Sequence, residues 1–404
     1  MDKKKYYSWI LYDWANSAYA TIVLAGFFPI IFASYYADIL SENTRTLILG
    51  MANSSASLLL IILAPLLGIL SDRRGSKKNF LLIFASISIL STLLLVFVDK
   101  NNWAMASLLF SISVLGFMLS NVFYDSMIMD FNKKESRNSI SSYGYAFGYL
   151  GGGVAFIIAI LIVLFGDSDT YIIQNKKISF LVAALWWIIF MIPLAIYWKE
   201  TNKNSNINKT SIRRTFSDIY SNKVVYYFLL AYWFYIDGVD TIIRMAVNYG
   251  ITIGFTQNDL LLALLLVQII SFPGTLIINY IASKTSTEHG ILVCICAYII
   301  ITIFASFIQT LTGFYALAIT IGIVQGGLQA LSRSYFANII PESRDSEFFG
   351  VYNMLGKFAA LVGPLLVGLI TYLSASSRLG IFSLIILFIV GLILMMNVRK
   401  YTSR

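Results

Sequence analysis

Charge is what this chain has least of. Only 12% of its 404 residues are Asp, Glu, Lys or Arg, where a soluble domain carries about 25%. So few charges cannot cover a water-facing surface, so lipid must be the solvent for most of the chain. Soft metal ligands are almost absent too: one histidine and two cysteines. Cys294 and Cys296 are spaced too closely for a paired zinc half-site, have no second pair, and read as small packing residues. His289 reads as a solvated loop residue. Metal chemistry and a Ser/His hydrolase are therefore disfavoured. No phosphate-binding glycine loop appears, so ATP-driven pumping by this chain alone is not expected. No cofactor is expected. The basic excess, 29 Lys and Arg against 20 acids, is spread between apolar runs rather than gathered in a patch, so nucleic acid is not an expected partner.

What is present is long apolar runs. About 20 such residues cross a bilayer as a helix. Twelve candidates follow, at 9–36, 46–70, 79–98, 103–127, 139–165, 178–198, 224–249, 259–282, 290–310, 313–336, 346–372 and 379–398. The first, with Lys3–Lys5 as a basic flank, is too long for a signal-peptide core and carries Asp13 and Asn16 early, so it reads as a retained span. Lys and Arg collect in the N-terminus, the even-to-odd loops and the tail, while the opposite loops hold only Arg45, Lys100, Lys176, Lys177 and Arg378. Basic loops stay cytoplasmic, which puts both termini there. The expected fold is all-α and integral to the membrane, with twelve helices in two pseudo-symmetric bundles. Residues 1–198 and 224–404 form the bundles, and 199–223 form a polar cytoplasmic linker.

The two parts echo each other. ESRNS at 135–139 matches ESRDS at 342–346, and DWANS at 13–17 lines up with DGVDT at 237–241. Such repeats build many transporters, with the site between them near mid-membrane.

A charge inside a spanning helix costs about 2.5–3.5 kcal/mol on insertion scales, so it faces a partner or a wet cavity. Four spans carry polar stripes at helical spacing: Asp237, Asp240, Arg244 and Asn248; Gln325, Gln329 and Arg333; Asn121 and Asp125; Asn353 and Lys357. All should turn inward. Asp240 and Arg244 can pair, which leaves Asp237 to find a partner elsewhere. Burial raises an acid's pKa and a nearby Arg lowers it, so this span is a candidate proton-coupling site; a structural ion pair is the other reading. Arg333 lies near the span's cytoplasmic end and reads as a gate residue or a snorkelling one. Asp13, Asn16 and Ser17 share a face of the first span, as cavity lining or, for Asp13, as a latch at the cytoplasmic mouth. Tyr12, Trp14, Tyr232 and Trp233 would give apolar walls.

GILSDRRGSKK, residues 68–78, resembles the cytoplasmic loop signature of the major facilitator superfamily, with Gly68, Leu70, Asp72, Arg73, Gly75, Lys77 and Lys78 at matching places. Asp72 can accept from a neighbouring helix N-terminus or pair with Arg137, closing a latch. The second-half counterpart, YIASKTSTEHG, has Ser283 where the acid would stand. Gly144, Gly148, Gly151, Gly152 and Gly153 give small-residue spacing for close helix contact. They also resemble the glycine motif of facilitator antiporters, with Tyr149 where the proline belongs.

YDWANSAYATIVLAGFFP, YGYAFGYLGGG, YIDGVDTI and GGLQALSRSYFANIIPESRDSEFFGVYNMLGKFAALVGPLL resemble one branch of that superfamily, the unknown major facilitator family, related to autophagy-associated vacuolar amino-acid effluxers. The resemblance implies a twelve-helix secondary transporter working by alternating access on a small polar solute, with amino acids, efflux and proton coupling as the expected details. It would work as a monomer in a bacterial plasma membrane. Lys357 or Arg244 would take a carboxylate, and Asp237 or Asp240 an ammonium group or a proton. An uncoupled facilitator, a nutrient sensor on a transporter fold, and a membrane-embedded aspartyl enzyme are the alternatives.

Overall fold

The computed structural model describes residues 2–131, 134–165, 172–200, 211–252, 254–342 and 344–402; a few side chains inside helices, Arg244 and Asn248 among them, also lie outside the described set. Among the described residues the regular secondary structure is all helix, joined by short turns, with no strand. Among the described residues, eleven helical stretches are long and apolar enough to cross a membrane. A twelfth helix of crossing length, Lys223–Thr252, is continuous and carries Asp237 and Asp240 inside it.

In order, the spans are Lys3–Tyr36, Thr44–Arg74, Lys77–Leu95, Trp103–Asp130, Arg137–Phe165 and Ile172–Tyr197, then Lys223–Thr252, Gln257–Lys284, Thr287–Phe307, Leu311–Ile339, Asp345–Ser374 and Ser377–Thr402. They are called first to twelfth below. Capping side chains mark their starts. Asp2 accepts from the Lys4 amide, Asn102 from Met105, Ser286 from His289 and Thr310 from Gly313, each satisfying a donor the helix leaves open. The second span stops at Gly75, whose φ of +59° suits glycine.

Two sequence expectations change. The first helix begins at Lys3 rather than 9, because Asp2 caps it; Asp13 therefore lies three turns inside. His289 sits in the first turn of the ninth span, not in a loop. Between the sixth and seventh spans, Ile212–Ser221 is a short helix capped by Ser211.

The packing shows the pseudo-symmetry. The second span packs on the eleventh and the fifth on the eighth. Adding six to each number exchanges the two pairs, as a two-fold between the first six and last six spans requires. Close approach is bought with glycine. A Cβ at Gly68 would run into the Ser346 carbonyl, and one at Gly350 would meet the Ala64 carbonyl at 2.6 Å. The fifth span lies against the first in the same way: a Cβ on Gly151 would stand 2.7 Å from the Trp14 carbonyl and ring.

Candidate functional site

A cavity of about 280 Å³ lies between the first six and last six spans. At about 30 Å³ per water it has room for roughly nine waters, or a small solute. Asp13, Asn16, Ser17, Asn121 and Asp125 line one side, and Asp240, Gln329, Arg333, Asn353 and Lys357 the other. All ten were singled out in the sequence, from five spans. Among them are three acids and two bases.

Arg333 is the centre of the charged cluster. It is 1% exposed and so does not snorkel: its neighbours supply what water would. Its Nη1 donates to Asp125 Oδ1 at 3.1 Å and lies 3.8 Å from Asp13 Oδ2. Its Nε donates to Ser141 Oγ at 2.9 Å, and its Nη2 to the Ser141 carbonyl at 3.0 Å. The guanidinium also faces the rings of Tyr145, Trp9 and Tyr124, at 4.3, 4.8 and 5.2 Å. Glycine makes room: a Cβ at Gly144 would come within 3.0 Å of Arg333 Nη2. Both acids are held from other sides. Tyr124 Oη donates to Asp13 Oδ2 at 3.0 Å, and Asn353 Nδ2 to Asp125 Oδ2 at 3.1 Å. Arg333 and Asn353 come from the last six spans and both acids from the first six, so the cluster is a charged seam.

A neutral seam stands beside it. Tyr149 Oη donates to Gln329 Oε1 at 2.7 Å and accepts from Gln325 Nε2 at 2.8 Å. Gln325 thus bonds through Tyr149 and is not part of the cavity wall. Gln268 Nε2 donates to Thr21 Oγ1 at 2.5 Å, again across the seam. Asn16 Nδ2 donates to Asn121 Oδ1 at 2.7 Å within the first six spans. Tyr232 and Tyr352 stack at 4.0 Å on the far wall.

Asp237 points elsewhere. It is 2% exposed, and its Oδ1 accepts from the Gly363 amide at 2.9 Å and from Thr241 Oγ1 at 3.4 Å. The next residue, Pro364, has no amide and interrupts the helix ladder; the carboxylate fits into that break instead of the cavity. Arg244, the expected partner of Asp240, has a side chain outside the described set. Of the four aromatic wall candidates only Tyr232 lines the cavity. Tyr12 packs on Tyr124 and Trp187, Trp14 stacks on Trp186, and Trp233 lies against Phe234, each drawn off by an aromatic neighbour. Tyr124, Tyr145, Tyr149, Gln268 and Tyr352 were missed; a lone hydroxyl on a ring, or a lone amide in an apolar run, leaves no charge pattern to read.

The end bearing both termini is closed by a second network. Asp72 accepts from the Ser346 amide at 3.1 Å and the Glu347 amide at 2.8 Å, capping the eleventh helix from the second. This is the helix-terminus partner, rather than Arg137. Lys77 Nζ reaches Asp345 at 2.7 Å, Asp130 at 3.0 Å and the Ser126 carbonyl at 3.3 Å. Arg137, 1% exposed, donates to the Ala337 carbonyl at 2.9 Å and to Asn338 Oδ1 at 3.2 Å. Arg73 is exposed in the last turn of the second span. Arg344 donates to Glu347 at 2.7 and 2.8 Å and to Asp218; the Glu347 hydrogen bonds, with help from Asp218, hold its guanidinium above the ordinary value against the pull of burial. The hydrogen bonds joining the two sets of spans run from this end inward to Thr21 and Gln268.

Known proteins share both the fold and the sequence. The MFS proton:xylose symporter XylE matches with a TM-score of 0.76 over 98% of this chain and 96% of its own, at 14% identity. The human organic anion transporter MFSD10 matches with a TM-score of 0.70 over 97% and 99%, at 12% identity. These show a major facilitator fold. In sequence, the uncharacterized MFS-type transporter YxiO of Bacillus subtilis is 36% identical over 98% of this chain and 95% of its own. Autophagy-related protein 22 of Kluyveromyces lactis is 25% identical over 78% and 71%. The family model described as "Vacuole effluxer Atg22 like" matches residues 41–404. This chain is a multi-pass membrane protein of the major facilitator fold, and it belongs to the Atg22-like family of MFS-type transporters.

Proposed function

We propose that the protein is a secondary transporter that moves a small zwitterionic solute, an amino acid in the simplest case, by alternating access. Residues 1–198 and 224–404 would be the two rocking bundles. The observation that carries this reading is the cavity itself, lined from both sides by acids and bases and closed towards one end by paired side chains. A zwitterion needs one anion and one cation at separate points of the wall; Asp240 and Lys357 are the acid and base that fill those roles. Asp13 and Asp125 share Arg333. Two acids on one guanidinium leave one negative charge uncompensated, so this pair is the place for a coupling proton. Solute binding at Asn353 and Lys357, next to Asp125, would loosen the hold of Arg333 and free the seam. The distribution of Lys and Arg supports cytoplasmic termini, and the Bacillus relative supports a bacterial plasma membrane. Efflux as the direction rests on the family's vacuolar members.

The test is counterflow of labelled amino acids in proteoliposomes, with and without a pH gradient. The parent protein should accumulate one or more of them, and Lys357→Met and Asp240→Asn should each lose affinity on the order of tenfold or more. Asp13→Asn should retain counterflow but lose acceleration by the gradient. No counterflow of any amino acid would refute the substrate class. Counterflow indifferent to pH in the parent would mean an uncoupled facilitator.

A further inference from the structure

The short helix Ile212–Ser221 has two faces with different work. Its inner face is seated on the protein: Thr215 and Ile219 are buried, Thr215 Oγ1 donates to Glu347, and Asp218 accepts from Arg344. Arg344 is the N-cap residue of the eleventh span, next to the amides that Asp72 holds. The helix is therefore fixed to the closed end of the molecule.

Its other apolar residues are turned outward. Ile212, Phe216 and Tyr220 follow one another at i, i+4 and i+8 and are 37%, 45% and 73% exposed. Three large apolar side chains in one row are not left in water without a cause. The row continues into the base of two spans. Tyr220 meets Tyr226 at 5.5 Å, Tyr226 meets Tyr227 at 5.6 Å, and Tyr227 stacks on Tyr401 at 5.3 Å. Cations flank the row: Arg213 and Arg214 are exposed on the helix, and Lys223 Nζ stands 5.5 Å over the Tyr401 ring. Arg399 and Lys400 lie in the last turn beside Tyr401. Tyrosines and cations at the ends of spanning helices sit at the headgroup level of a bilayer. A short helix with an apolar row and Arg beside it lies in that plane.

We propose that Ile212–Ser221 is an interfacial helix that binds anionic phospholipid headgroups, with Ile212, Phe216 and Tyr220 in the acyl boundary and Arg213 and Lys223 on the phosphates. Continuity favours lipid over a protein partner: the row joins the tyrosines at the feet of the seventh and twelfth spans, which meet lipid in any case. Because the same helix grips Arg344 and Glu347 from its inner side, lipid that holds it also steadies the closed end. Leaflet charge thus biases which way the cavity opens.

The experiment uses the full chain with Cys294→Ala and Cys296→Ser, carrying one fluorescent label at Phe216→Cys or, as control on the polar face, at Ser217→Cys. Each is placed in phosphatidylcholine vesicles with a shallow spin-labelled lipid as quencher, with and without phosphatidylglycerol. The label at 216 should be quenched, more so with phosphatidylglycerol, and the label at 217 should not. Arg213→Gln and Lys223→Gln should each raise the phosphatidylglycerol fraction needed for half-maximal quenching by about fivefold. Equal quenching at 216 and 217 overturns the interfacial placement. Quenching at 216 that ignores phosphatidylglycerol overturns the recognition of anionic lipid. Melting of each labelled protein in detergent, matched to the parent, separates both results from misfolding.

Discussion

Arg333 of the tenth span and Asp125 of the fourth meet at 3.1 Å across the seam between the two sets of spans. Both are almost fully buried, so the pair holds the seam only while each has the other. Removing one partner of a buried pair costs about 3–5 kcal/mol, because it strands the other charge. Arg333→Gln should lower thermal stability in detergent by that order. Asp125→Asn should cost less, because Asp13 is 3.8 Å from the same nitrogen. The double variant Asp125→Asn, Arg333→Gln should be more stable than the sum of the single losses; strict additivity in melting experiments would show that the two do not act together.

Ser126 and Ser346 bring their hydroxyls within 3.2 Å at the closed end, one from each set of spans. Ser126→Cys with Ser346→Cys, in a background lacking the native cysteines, should form a disulfide on mild oxidation and stop transport. Reductant should restore it. Transport that continues with the bridge shown by mass spectrometry to be complete would mean that this end need not open.

Tyr149 bridges Gln325 and Gln329 through one hydroxyl. Tyr149→Phe removes both bonds and leaves two amides facing a ring. At about 0.5–1.5 kcal/mol for each neutral hydrogen bond, the opening equilibrium should shift on the order of tenfold, with little change in fold. Distances between spin labels on the fifth and tenth spans would show the shift; an unchanged distribution would reduce Tyr149 to packing.

Gly151→Val is expected to separate the first and fifth spans. Even a single Cβ at Gly151 would lie 2.7 Å from the Trp14 carbonyl, which is backbone and cannot step aside. Overpacking of this kind costs about 1–3 kcal/mol. A melting temperature equal to the parent's would contradict the packing described above.

Much of this site was legible because charge is so rare in the chain. Asp125, Asp240, Asn353 and Lys357 stand out from apolar runs and all line the cavity. The repeat also reads true at one register: Asn16 and Asp240, aligned between the two parts, both face the cavity. It misleads three residues earlier. Asp13 lines the cavity while its counterpart Asp237 is taken up by the Gly363 amide beside Pro364. A proline on a neighbouring helix decides that, and it lies more than a hundred residues away in sequence. Arg333 was placed at a gate by its distance from the helix end. Its rings, Trp9, Tyr124 and Tyr145, come from three other spans, and only folding brings them around one guanidinium.

Asp72 has no counterpart in the second half, where Ser283 stands and its hydroxyl turns back to the Tyr280 carbonyl. Both residues lie at the end bearing the termini, so that end is latched from one side; the described hydrogen bonds that join the two sets of spans run from there inward only as far as Thr21 and Gln268, and among the described residues the opposite mouth shows no matching latch. An empty carrier with one bolted door spends most of its time with that door shut, so the slow step of each cycle falls on one side of the membrane. Gradients of equal size but opposite sign should then drive unequal fluxes, and initial rates measured in both directions on an oriented sample would expose a carrier that is balanced instead.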